Sequence, residues 1–258
     1  MELGDFTLDV FSLQGRRAIV TGGNTGLGQA CTVALAAAGA DVLVAGVADD
    51  GGRTEALVTE RGRRHVFVEA DLTHPDTPRR VVEHCVAELG GLDVLVNSAG
   101  ICLVDDVDGF DRTRWDPMIS VNLTAAFELS REAALVMARQ GSGKIVNIAS
   151  LFSFLGGRGS PAYAASKAGV AGFTRAYCDE LGDRGVQVNA IAPGYFTTAL
   201  TESIRADETR DQRILERIPA GRWGDPADLM GATVFLASRA SDYVSGHVLT
   251  VDGGYLVR

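Results

Sequence analysis

The chain has 258 residues, with 33 acidic side chains against 24 basic ones and a formal net charge of -9. A hydrophobic fraction of 46% is ample for a buried core, which excludes global disorder, and the acidic balance supplies no basic face of the kind nucleic acid requires. The length predicts one large domain, and of the 24 basic residues only Lys144 and Lys167 are lysines.

The predicted elements alternate. Arg17 to Thr21 reads as a buried strand, Gly26 to Ala38 as an Ala-rich helix stopped by Gly39, and Asp41 to Ala45 as a second strand. A helical stretch from Arg53 to Arg61 precedes a third strand, His65 to Ala70. Pro78 to Leu89 is amphipathic, with Val81, Val82, Cys85, Val86 and Leu89 on one face. Val94 begins a fourth strand that Gly100 ends, and Asn122 to Arg139 reads as a long helix. Lys144 to Ala149 is a fifth strand, Pro161 to Leu181 a helix, and Val186 to Ala192 a sixth strand. Pro226 to Ala237 is a helix capped by Asp225, and His247 to Val251 a seventh strand. Apolar strands joined by helices predict right-handed βαβ crossovers and a parallel sheet covered on both faces. The expected fold is therefore a single doubly wound α/β domain over 1–258. The charged segment 197–222 interrupts the alternation and is a candidate substrate lid.

Met1 to Asp5 is acidic and no apolar run approaches the roughly 18 residues of a membrane span, so neither a signal peptide nor a membrane segment is expected, and a cytoplasmic setting follows. Cys31, Cys85, Cys102 and Cys178 lack metal or redox spacing and read as reduced apolar fillers. His65, His74, His84 and His247 form no ligand-like cluster, so neither a metal nor a Ser-His-Asp triad is expected.

Three groups of residues carry chemistry. Gly22, Gly26 and Gly28 lie in a GxxxGxG turn between the first strand and helix, where backbone and a helix N-terminus can approach a pyrophosphate. Small or polar residues end the later strands: Asp71-Leu72, Asn97-Ser98-Ala99-Gly100, Ser150 and Pro193-Gly194. Tyr163 and Lys167 stand one helical turn apart, so the ammonium can stabilise a phenolate and ready Tyr163 for acid/base work.

In order and spacing, the glycine turn, Asn97 to Gly100, Asn122, Ser150, Tyr163-x3-Lys167 and Pro193-Gly194 resemble the short-chain dehydrogenase/reductase family, from about Phe11 to Arg258. The resemblance implies a seven-stranded Rossmann sheet, a homotetramer, and NAD(P)-dependent interconversion of alcohol and carbonyl. It also implies roles. Tyr163 exchanges a proton with the substrate oxygen, Ser150 polarises that oxygen, and Lys167 binds the nicotinamide ribose and lowers the Tyr163 pKa. Asn122 holds a water in the proton path. The dinucleotide would lie along Gly22, Asn24, Thr25, Gly26, Leu27 and Gly28, with Asp71 and Leu72 at the adenine. Asn97, Ala99 and Gly100, then Pro193, Gly194 and Thr198, follow toward the nicotinamide. Ser98 departs from the family, which usually has a second Asn there.

At the end of the second strand Gly46 replaces the acid that would select NAD, while Asp49 and Asp50 just beyond would repel the extra phosphate of NADP; NAD is favoured. Arg205 to Glu208, Ile218 to Gly224 and Asp228 to Gly231 resemble a branch of the family that acts on six-carbon keto-sugar acids. A carboxylate substrate suits arginine, and the candidates are Arg158, Arg205 and Arg222, with Tyr195 as a pocket wall. Other family activities, on gluconate or on an acyl thioester carried by an acidic protein, stay open, as does a non-catalytic NAD(H) sensor.

Overall fold

In the computed structural model, which describes residues 3–258, seven strands form one all-parallel sheet in the order β3-β2-β1-β4-β5-β6-β7. They are β1 (Arg17–Thr21), β2 (Asp41–Gly46), β3 (His65–Glu69), β4 (Val94–Asn97), β5 (Gly143–Ile148), β6 (Val186–Pro193) and β7 (Val248–Val251). The helices are α1 (Gly26–Ala37), α2 (Arg53–Thr59), α3 (Thr77–Leu89), α4 (Arg112–Ile119), α5 (Ala125–Gln140), α6 (Pro161–Leu181), α7 (Glu202–Arg205), α8 (Glu208–Leu215) and α9 (Met230–Ala237). No helix among the described residues is long and apolar enough to cross a membrane.

Successive strand residues feed opposite faces, and both faces are dry. Ile19, Leu43, Leu95 and Ile145 pack under α3 and α5, while Val20, Val44, Val96 and Val146 pack under α1 and α9. That is why the strands read as unbroken apolar runs.

Two helix expectations change. The expected helix from Asn122 begins ten residues earlier, at Arg112: α4 runs through a single π-turn, Ser120–Thr124, into α5. Asp111 starts it by accepting the Thr113 N–H at 2.8 Å, although Pro117 removes a ladder donor inside it. The expected helix from Pro226 is a 3-10 turn, Pro226–Leu229, followed by α9; Asp225 does cap it, accepting the Ala227 N–H at 2.9 Å.

At the opposite rim from the glycine turn, Asp93 precedes β4 and is almost fully buried. Its carboxylate accepts from Arg17 Nε at 2.6 Å, the Arg17 backbone N–H at 2.9 Å and an Arg16 guanidinium nitrogen at 3.0 Å. Burial alone would raise its pKa, but these bonds outweigh burial and hold the carboxyl below its ordinary value. Lys144, at the start of β5, donates to Asp242 at 2.8 Å and closes the same rim. Asp93→Asn should lower unfolding stability in urea by about 2 kcal/mol at neutral pH. The stabilisation is full above the unfolded-state pKa of about 3.9 and is lost as the pH falls through the lower folded value, so the two proteins should converge in acid.

Candidate active site

Parallel pairing brings the C-terminal ends of all seven strands to one rim. The glycine turn at β1 takes positive φ at Gly22 (61°) and Gly26 (49°). A Cβ on Gly28 would stand 2.1 Å from the Gly22 carbonyl oxygen, and one on Gly22 would stand 3.1 Å from Ala99 Cα. Only glycine fits this closed turn. Thr25 begins α1 without a side-chain cap, so the first N–H groups of the helix stay available to an anion. Thr21 Oγ1 accepts the N–H groups of Ser98 (3.0 Å) and Ala99 (3.1 Å), which fixes the end of β4 beside the turn; Ser98 Oγ lies under Gly28.

Asn24 is buried and donates Nδ2 to the Ala48 carbonyl at 2.6 Å. Its Oδ1 would lie 3.2 Å from a Cβ on Gly46, which explains a glycine where an acid was sought. Asp49 and Asp50 are engaged locally. Asp49 accepts from the N–H groups of Gly51 and Gly52, and Asp50 from the N–H and hydroxyl of Thr54. Asp71 is exposed and accepts from Thr73, with Leu72 buried beside it. The Thr198 methyl approaches Gly26, bringing the base of the 197–222 segment to the turn. Asn97 turns its amide away from this cleft and into the core, toward Ser130 (2.9 Å) and Asn147 (2.8 Å). A shape that a Cβ would fill, with an uncapped helix start behind it, fits a dinucleotide pyrophosphate.

Next to this cradle, Ser150 follows β5, and Tyr163 and Lys167 lie on the first turns of α6. Lys167 is buried, and its Nζ donates to the Ile148 carbonyl at 2.6 Å and lies 5.6 Å from the Tyr163 ring centroid. Asn122 sits in the π-turn. Its amide pairs both ways with the Ile101 backbone at 2.8 Å and reaches Ser166 Oγ at 3.4 Å. A Cβ on Gly100 would lie 3.3 Å from Asn122 Oδ1 and 3.8 Å from Lys167 Nζ. Gly100, Asn122, Ser150, Tyr163 and Lys167 therefore lie together in one cleft.

The expected electrostatics need correction. Tyr163 is not lowered by Lys167. Burial pushes the phenol up to about 12; the nearby Cys102 adds to that, the Ser150 hydroxyl favours the phenolate, and Tyr195 opposes it. Burial likewise pushes Lys167 down to about 8, because its partner at Ile148 is a neutral carbonyl. Cys102, read from sequence as filler, is thus a wall of this cleft, 3.7 Å from Ser160 Oγ. Its position after the Asn97–Gly100 turn was the available signal.

On the substrate side, Tyr195 packs on Trp223 and Tyr255 (ring centroids 5.4 and 5.2 Å). Arg158 is exposed in the loop before α6, and Arg205 reaches the Thr198 carbonyl at 3.5 Å. Arg222 is not a free clamp: it grips Asp228 with two bonds of 2.6 and 2.9 Å and holds that carboxyl down to about 2. Sequence reasoning passed over Arg210 and Arg217.

A family model described as enoyl-(acyl carrier protein) reductase matches residues 22–256. The chain belongs to the short-chain dehydrogenase/reductase family. It is 55% identical over 256 residues to an uncharacterised oxidoreductase of Escherichia coli (strain K12), covering 99% of this chain and 98% of that one. It is 47% identical over 253 residues to the 2-dehydro-3-deoxy-D-gluconate 5-dehydrogenase of Bacillus subtilis (strain 168), covering 97% and 98%. Among solved structures, the gluconate 5-dehydrogenase of Burkholderia cenocepacia J2315 in complex with NADP and tartrate superposes with a TM-score of 0.91 at 36% identity, over 97% and 99% of the two chains. A protein from Agrobacterium tumefaciens, provisionally named 2-deoxy-D-gluconate 3-dehydrogenase and holding NADP, gives 0.91 at 47%, over 96% and 99%. The enzyme is a pyridine-nucleotide oxidoreductase of this family.

Because a Cβ at Gly28 would collide with the backbone of the turn, Gly28→Ala should abolish dinucleotide binding measured calorimetrically, while circular dichroism reports a folded protein.

Proposed function

We propose that the enzyme interconverts a secondary alcohol and a ketone on a six-carbon sugar acid of the 2-dehydro-3-deoxy-D-gluconate or 2-deoxy-D-gluconate type. The observation that carries this reading is the shared cleft of Ser150, Tyr163 and Lys167 beside the glycine turn, in a chain 47% identical to a relative of that name. The dinucleotide supplies or accepts the hydride when bound. The remaining work is done by the protein. Ser150 donates to the reacting oxygen, Tyr163 delivers or removes its proton, and Lys167 holds the nicotinamide ribose. Asn122, fixed on the Ile101 backbone, holds the water through which that proton leaves. Tyr195 lines the pocket, Arg158 and Arg205 stand at its mouth, and the 197–222 segment closes over the substrate. The working assembly is a homotetramer in the cytoplasm.

NAD(H) is the proposed cofactor. Asp50 remains ionised, since hydrogen bonds from Thr54 outweigh the burial that would raise its pKa, and Asp49 stands beside it. No basic residue occupies Thr25 or Gly46 to receive a 2′-phosphate. The second reading, NADP(H), is favoured by the NADP held by the Agrobacterium and Burkholderia neighbours. Initial rates with the two cofactors decide it: kcat/KM should favour NAD by on the order of tenfold or more, and Thr25→Arg should shift the ratio toward NADP. A wild-type preference for NADP overturns the NAD assignment. A substrate screen over sugar acids, aldonates, polyols and acetoacetyl thioesters tests the rest; turnover confined to thioesters overturns the sugar-acid reading.

A further inference from the structure

A sugar acid that reacts at its fifth carbon, as the 2-dehydro-3-deoxy-D-gluconate type does, presents a carboxylate several bonds from that carbon, so its recognition needs a cation at the far end of the pocket, not beside Tyr163. The wall that leads there is continuous. Leu151, the residue after Ser150, packs with Ile218 and Tyr255, and Tyr195, Leu155 and Ile214 pack against them. Tyr255 in turn carries the guanidinium of Arg217 over its ring at 4.2 Å from the centroid. Arg217 is the immediate neighbour of Ile218, so the packing of Ile218 into this wall holds Arg217 at its edge.

The other arginines of this segment are placed differently. Arg222 is spent on Asp228, and Arg205 reaches back to Thr198 at the base of the glycine turn. Arg210 and Arg217 form no ion pair among the described residues. Both lie close enough to favour ionisation of the Tyr195 hydroxyl, although burial dominates and pushes that phenol up to about 12; Tyr195 in turn acts on Tyr163. A cation seated on an aromatic face keeps its in-plane N–H groups free, which is the geometry that grips a carboxylate with two parallel bonds.

We propose that Arg217, seated on Tyr255 and assisted by Arg210, is the specificity-determining residue that receives the substrate carboxylate at the end of the wall formed by Leu151, Tyr195 and Tyr255. The proposal rests on the sugar-acid reading and sharpens it. The substrate lies with its ketone at Ser150 and Tyr163 and its carboxylate under the 197–222 segment. Arg217 then acts on binding and orientation, leaving the proton transfer to Tyr163.

The test compares 5-keto-D-gluconate with L-sorbose, the same carbon chain with the carboxylate reduced to an alcohol. Both are assayed with the holoenzyme in wild type, Arg217→Met, Arg217→Lys and Arg210→Met. Wild type should prefer the acid. Arg217→Met should raise KM for the acid by roughly 10- to 100-fold, the loss of a charge-assisted hydrogen-bond pair, and leave KM for sorbose within about threefold. Arg217→Lys, which keeps the charge on the ring, should recover part of the loss. Thermal unfolding checks that the Met variant is folded; if it is not, Arg217→Lys and Arg210→Met carry the comparison, and an unchanged acid-to-sorbose ratio in both overturns the clamp. A selective wild type with an equally selective Arg217→Met also overturns the clamp and leaves the sugar-acid reading standing. A wild type that prefers sorbose, or treats both alike, overturns that reading and the clamp with it.

Discussion

A buried ammonium must find a partner, and Lys167 finds the carbonyl of Ile148. That bond joins α6 to the end of β5, and Ser153 Oγ reinforces it by donating to the Lys167 carbonyl at 2.7 Å. Ser150 lies two residues beyond Ile148 and Tyr163 one helical turn before Lys167, so one contact sets the spacing of the two hydroxyls. The strand itself is held from below by the Lys144–Asp242 ion pair and from the side by the buried amide ladder Asn97–Asn147–Thr174. The two lysines of the chain thus sit at opposite ends of the same strand.

Burial pushes Tyr163 up and Lys167 down, so neither is poised by the other alone. This is the expected result of packing a phenol and an amine into a cleft whose other walls are Cys102, Phe152 and neutral backbone. The Ser150 hydroxyl opposes this by favouring the phenolate. The proposed carboxylate site, Arg210 and Arg217, lies farther out on the 197–222 segment, where an acidic protein can still offer a locally basic wall.

Much of this was legible in the sequence, and for physical reasons. Strands buried on both faces must be apolar throughout, so β1, β2, β5 and β6 could be placed within a residue or so. The glycine turn and the Tyr163–Lys167 pair were legible because each function tolerates few residue types at fixed spacing. What escaped depends on distance. The helix α4 hides behind Pro117 and a run of aspartates, and its π-turn is visible only once Asn122 meets Ile101. Asn97 points to the core because Ser130 and Asn147 are there, not because of its neighbours in the chain. Arg217 and Arg222 are five residues apart and look alike in sequence. One rests on an aromatic ring and the other is bound to a carboxylate.

The central claim is that Tyr163 moves the proton in a dinucleotide-dependent carbonyl reduction. It is tested most directly by Tyr163→Phe, which removes only the hydroxyl. Fluorescence titration with NADH should give the wild-type affinity, and the absorbance of reduced nicotinamide should show turnover of the best sugar acid lowered by roughly 10²- to 10⁴-fold. A variant that binds NADH normally and turns over within a few-fold of wild type would contradict the account.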